Sequence, residues 1–212
     1  MNYSSTKVIT LGSCAFRQWR AADGRPDAGA NSARCSKIHG YNLYAKFYFS
    51  ASALDERNWV MDFGSLKTLK SMLEHQFDHT LCVAEDDPCL PLFRQLHDQG
   101  ACDLRIMPAV GIEKTAEFCF NAANEFVNRL TNGRVWCTQV EVWEHENNSA
   151  IYSNPKSAAP VSPGASVAAV APSAPVLINE APGRPAPIPA PVGNPVSSGF
   201  SDLFKGTSWG RS

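Results

Sequence analysis

The chain contains no run of 18 or more apolar residues, so no helix of membrane-spanning length is expected. It has no Lys/Arg cluster, and 19 basic residues against 20 acidic ones leave a formal charge of −1. That balance provides no field to gather nucleic acid. The seven cysteines form no C-x-x-C pair, and an odd count without such pairs speaks against both a disulfide framework and a thiolate zinc cluster. The opening stretch, MNYSSTKVITLGSC, has neither a basic leader nor a long apolar segment, so a reducing cytoplasm is the expected setting. Asn147-Asn148-Ser149 has the form of a glycosylation acceptor, but no secretory route accompanies it.

Large apolar side chains are scarce from about Ser153 onward, where 11 of the 15 prolines fall. A Pro/Ala-rich segment of this kind has little to bury and few backbone donors, so 153–198 is expected to be an extended linker. It ends in 199–212, where Phe200, Leu203 and Phe204 recur at i, i+3 and i+4 and Trp209 follows. That is the spacing of a short docking helix for a protein partner. The rest, 1–152, is the candidate folded domain.

Within it, Val8–Leu11 opens a strand, and Tyr41–Ser50 is aromatic and partly alternating, a second strand. Leu66, Leu69, Leu73 and Phe77 have helical spacing, and so do Ala116, Phe120, Ala123, Val127 and Leu130 until Gly133. A short extra helix is expected within 85–102. Val135–Glu144 alternates as a third strand, and Ala150–Tyr152 begins a fourth. The order strand–strand–helix–helix–strand–strand predicts an α+β fold: a four-stranded antiparallel sheet with both main helices on one face. Four strands leave open edges, which favours pairing with further copies.

Five short elements occur in an order that resembles a known family. Cys35-Ser36-Lys37-Ile38-His39-Gly40-Tyr41 is similar to a C-x-x-x-H-G-H box. Asn58–Lys67 (NWVMDFGSLK) is similar to G-x-(V/I)-x-D-F-x-x-L-K. Phe77-Asp78-His79 matches L-D-H, Lys114–Glu117 matches P-T-x-E without its proline, and Val140–Glu144 matches V-x-V-x-E. Together they resemble the 6-pyruvoyl- and 6-carboxytetrahydropterin synthases. The resemblance implies the tunnelling fold, in which trimers close a barrel and pair into hexamers, with a reduced pterin bound between subunits. The family substrate is 7,8-dihydroneopterin triphosphate.

By the same resemblance Cys35 would be the proton-abstracting base and Asp78–His79 a proton relay. Glu144 would anchor the guanidine-like edge of the pterin by charge-assisted hydrogen bonds, with Glu117 nearby. Each has a plainer reading: a buried thiol for Cys35, a helix end for Asp78–His79, and a first-turn acid for Glu117.

The family's zinc site would use three histidines, and only His39 is present. Arg20 and Tyr41 stand at the other two positions. Arginine has no lone pair to give, and zinc takes three or four protein ligands, so the expectation is a protein without a cofactor, with zinc and the ordinary zinc-dependent activity returning only if an unforeseen site forms. Arg20 could instead hold a triphosphate or carboxylate. His145 follows Glu144, and strict strand alternation would turn it away from the pocket. Two functions follow as expectations: a pterin binder lacking the standard zinc-dependent lyase activity, or a pseudoenzyme. The pseudoenzyme would be an oligomeric component of a larger assembly, such as a virus particle, docked through its tail.

Overall fold

The computed structural model describes residues 2–22 and 32–153. Nearly all of the expected linker and the whole docking segment lie outside the described residues. The strands are β1 (Tyr3–Phe16), β2 (His39–Ala51), β3 (Thr80–Ala84), β4 (Leu104–Met107), β5 (Val135–His145) and β6 (Asn148–Ser153). The helices are α1 (Lys67–Phe77), α2 (Leu90–Asp98) and α3 (Ile112–Leu130), with short 3-10 turns at Trp19–Ala22, Ser32–Ser36 and Phe63–Leu66.

The four expected strands are present and antiparallel in the order β1-β2-β5-β6. The sheet itself is larger than expected. β3 and β4 extend it in parallel beyond β1, giving six mixed strands in the order β4-β3-β1-β2-β5-β6. β3 reads TLCVA and is buried at every position, so it shows a short apolar run rather than alternation. Its two faces meet different cores. Cys82 joins the main core, whereas Leu81 and Val83 pack with Phe93 of α2 and Leu104 of β4. α1 and α3 bury Leu69, Leu73, Phe77, Ala116, Phe120 and Val127 in the main core, against Ile9, Phe47, Phe49, Val140 and Val142 of the sheet.

Three bulges set which side chains face that core. The β1–β2 register shifts between Thr10 and Gly12. Core positions are therefore odd before the shift (Ile9) and even after it (Cys14, Phe16). The β2–β5 register shifts at Tyr48/Phe49, where Thr138 is the extra residue, and the buried positions change from Val135 and Cys137 to Val140 and Val142. The β5–β6 register shifts between Trp143 and His145, leaving Glu144 as the extra residue.

Helix ends are set by local chemistry. The Asp62 carboxylate accepts the Gly64 N–H at 2.8 Å and caps the turn that leads into α1. α1 stops at Asp78, whose backbone is extended, and His79 takes a left-handed φ of 58°. Beyond α3, Asn132 and Gly133 are also left-handed, which accounts for the stop expected at Gly133.

Candidate functional site

Cys35 lies in the Ser32–Ser36 turn, half-buried. Its carbonyl accepts the Gln18 N–H at 3.0 Å, and the neighbouring Ser36 carbonyl accepts Arg17 Nε at 2.8 Å. The exit of β1 thus fixes the entry of β2. Gly40 allows the approach, because a β-carbon there would lie 2.7 Å from the Cys14 carbonyl oxygen.

His39 and Tyr41 follow on the helix-covered side of β2. The His39 ring meets Phe16 at 4.8 Å and stands edge-on to Tyr41 at 5.6 Å. Its Nδ1–H donates to the Lys37 carbonyl at 2.7 Å, so in the neutral ring the lone pair is on Nε2. Tyr41 packs near His145, with ring centroids 6.1 Å apart. Burial raises the Tyr41 phenol above its ordinary pKa, and the nearby Glu144 and Cys35 add to the effect.

Glu144 is half-buried at the β5 bulge. Burial pushes its carboxyl up most, and Glu113 at the start of α3 adds to the rise. His145, His39 and a hydrogen bond with Asn148 act in the opposite direction. Cys35, His39, Tyr41, Glu144, His145 and Glu113 therefore form one neighbourhood where the ends of β2, β5 and α3 converge. His145 does not turn away as alternation required. The bulge gives β5 one residue more than β6, so Glu144 and His145 share a side, and the His145 ring rests near Tyr41. Glu113 was not singled out from the sequence, since the motif pointed one turn further along the helix, to Glu117. Glu117 is ion-paired with Lys114 at 2.6 Å.

Asp78 and His79 are held on the other flank of β1, toward β3. The Asp78 carboxylate accepts the Ser13 N–H at 2.9 Å, the His79 N–H donates to the Ser13 carbonyl at 2.7 Å, and His79 Nδ1 lies 2.9 Å from Asp78 Oδ1. The His79 side chain is 85% exposed, open to solvent rather than turned into the Cys35 neighbourhood.

Arg20 does not stand free for an anionic ligand. It is paired with Asp86, which also accepts from Trp19 Nε1 at 3.1 Å, and its guanidinium lies 4.7 Å from the Trp19 ring centroid. Beside it, Arg17 is paired with the fully buried carboxylate of Asp87. Among the described residues, no group of three or more His, Cys, Asp or Glu is arranged to hold a metal ion.

Known proteins give the same reading as the motifs. The family model for 6-pyruvoyl tetrahydropterin synthase matches residues 13–155. An Archaeoglobus fulgidus protein provisionally named 6-carboxy-5,6,7,8-tetrahydropterin synthase is 31% identical over 90 residues, covering 40% of this chain and 77% of that protein. An uncharacterized protein of Wolinella succinogenes, WS1659, shares the fold at a TM-score of 0.57 and 18% identity, over 73% of this chain and 99% of that one. The 6-pyruvoyl tetrahydropterin synthase of Plasmodium vivax aligns at a TM-score of 0.50 and 15% identity, over 72% and 98%. The five motifs, the sheet that carries them and the match over 13–155 agree: the chain belongs to the 6-pyruvoyl tetrahydropterin synthase family.

Proposed function

We propose that this chain binds a reduced pterin at Glu144 and does so without zinc. Glu144 carries the proposal: a half-buried carboxylate needs a partner, and the amino-pyrimidine edge of a pterin supplies two adjacent N–H donors. The aromatic surroundings of Phe16, His39 and Tyr41 suit a flat ring. Cys35, close enough to Tyr41 to raise its pKa, is the proposed base.

Zinc does not fit the donors present. His39 offers one nitrogen, Tyr41 is harder to ionise than a free phenol, and Arg20 is cationic and bound to Asp86. The family's metal-assisted step therefore finds no ligand set among the described residues. What these residues can do is hold the ring at Glu144 and take or give protons at Cys35.

A homo-oligomer completes the proposal. β3 pairs with β1 only over Cys14–Phe16, so the first ten or so residues of β1 present an open edge, and β6 is the other end of the sheet. Pairing such edges between copies would close a barrel. A cavity of about 510 Å³ lies along the open part of β1, lined by Tyr3, Ser5, Trp59, Met61 and Phe63 among others, and a neighbouring copy would cover it. The engagement of Arg20 by Asp86 favours the second reading, a pseudoenzyme kept as an oligomeric component, since it removes a charge that could have replaced the metal.

The test is incubation with 7,8-dihydroneopterin triphosphate in chelator and with added zinc, following binding and product by mass spectrometry. Binding in chelator that Glu144→Ala abolishes is expected. Zinc-dependent turnover would overturn the metal-free reading. Failure to bind would leave the pseudoenzyme.

A further inference from the structure

The backbone fixes opposite tautomers in the two imidazoles that flank Tyr41. His39 Nδ1 donates to the Lys37 carbonyl, so in the neutral ring its Nε2 is an acceptor. His145 Nδ1 accepts the Asn147 N–H at 3.3 Å, so in the neutral ring the proton is on Nε2. The β5 bulge sets Glu144 and His145 on one side, with the His145 ring 6.1 Å from Tyr41. The half-buried Glu144 and the exposed His145 ring therefore both neighbour Tyr41, which brings a carboxylate acceptor and, in the neutral imidazole, an N–H donor to the same aromatic ring.

This arrangement complements one kind of ligand edge: two neighbouring donors followed by an acceptor. We propose that His145 is a specificity-determining residue of this pocket. Glu144 takes the 2-amino group and ring N–H of a 2-amino-4-oxo-pyrimidine edge, and His145 Nε2–H donates to the 4-oxo oxygen. The inference rests on the reading that Glu144 anchors a pterin-type ring. It adds to that reading the discrimination of a 4-oxo ring from a 4-amino ring. A 4-amino group would bring N–H against N–H at His145, and the 4-amino ring also lacks the N3–H, so Glu144 would face a lone pair; both mismatches weaken it.

The experiment compares 6-hydroxymethylpterin with 2,4-diamino-6-hydroxymethylpteridine, titrated against the full chain by calorimetry. The wild type is expected to prefer the 4-oxo ring by tenfold or more. His145→Phe should weaken the 4-oxo ring about tenfold, the worth of one hydrogen bond to a neutral acceptor, and cut the preference by at least that factor, leaving the part that Glu144 sets at ring N3. His145→Gln, whose amide nitrogen falls near the place of Nε2, should keep most of the preference, which a merely structural role for the ring would not predict.

A preference unchanged in His145→Phe overturns the inference while leaving Glu144 as anchor. A wild type that binds through Glu144 without discriminating the two rings does the same. Binding of neither ring, or binding indifferent to Glu144→Ala, overturns the anchor reading and the inference together.

Discussion

A β-carbon at position 12 would lie 2.1 Å from Oδ1 of Asp78, so Gly12 provides the space that the Asp78 carboxylate occupies. Gly12 also has φ +97° at the β1 bulge, a conformation that L side chains rarely adopt. Gly12→Ala should therefore destabilise the domain by about 2 kcal/mol or more in urea denaturation. Adding Asp78→Gly should recover the part due to the clash and leave the part due to φ. Equal losses in the single and double variants would show that the carboxylate is not the obstacle.

His79 offers a separation of folding from function. It holds a left-handed φ of 58° after α1 with its side chain in solvent. His79→Gly should raise stability by about 0.5–1 kcal/mol, since glycine takes that conformation without a steric penalty. If a proton relay operates there, the same variant loses turnover. A drop in stability would mean that the Asp78–His79 contact outweighs the backbone strain.

Two neighbouring arginines should behave differently on removal. Arg17→Ala leaves the fully buried Asp87 carboxylate without its cation and should cost about 3–5 kcal/mol. Arg20→Ala breaks a pair exposed on both sides and should leave the melting curve unchanged. Comparable losses for the two would contradict the burial that separates them.

The pH dependence of stability tests Glu144. Its carboxyl titrates above the ordinary value of 4.5, chiefly through burial. The folded state thus favours the protonated form. Stability from this group is greatest below pH 4.5 and falls as pH rises toward the raised folded value. Glu144→Gln should therefore melt higher than the wild type at neutral pH, and the two curves should converge below pH 4.5. A gain that persists unchanged at pH 4 would point to a cause other than charge burial.

Thiol reactivity follows burial. Cys14, Cys82, Cys119 and Cys137 are buried, and burial raises the Cys119 thiol far up and pushes Cys137 up to about 12. A disulfide reagent on the native protein at pH 7.5 should modify no more than Cys35, Cys89 and Cys102, with Cys102 slowed by its own raised pKa. All seven should react in guanidinium. Rapid labelling of Cys119 in the native state would refute this packing.

The helices were legible in the sequence because Leu69, Leu73 and Phe77 in α1, and Phe120, Ala123 and Val127 in α3, keep one buried face without interruption. The four antiparallel strands were legible from their aromatic and alternating stretches. β3 was not, since a strand buried on both faces has no alternation to detect. Within the site, motif order marked Cys35, His39 and Glu144. His145 was misplaced by counting residues along β5 through a bulge that the sequence does not advertise, and Glu113 was passed over because the motif named its neighbour one turn on.

Those bulges have a consequence for comparing relatives. Each is a phase change in the pleat: inward and outward exchange parity at Leu11, at Thr138 and at Glu144. A relative that lacks one residue at such a place keeps its hydrophobic rhythm on one side of the gap and inverts it on the other. Alignments of divergent members that place gaps only in loops would pair inward positions with outward ones. Gaps placed within β1 and β5, at the phase changes, would restore equivalent faces.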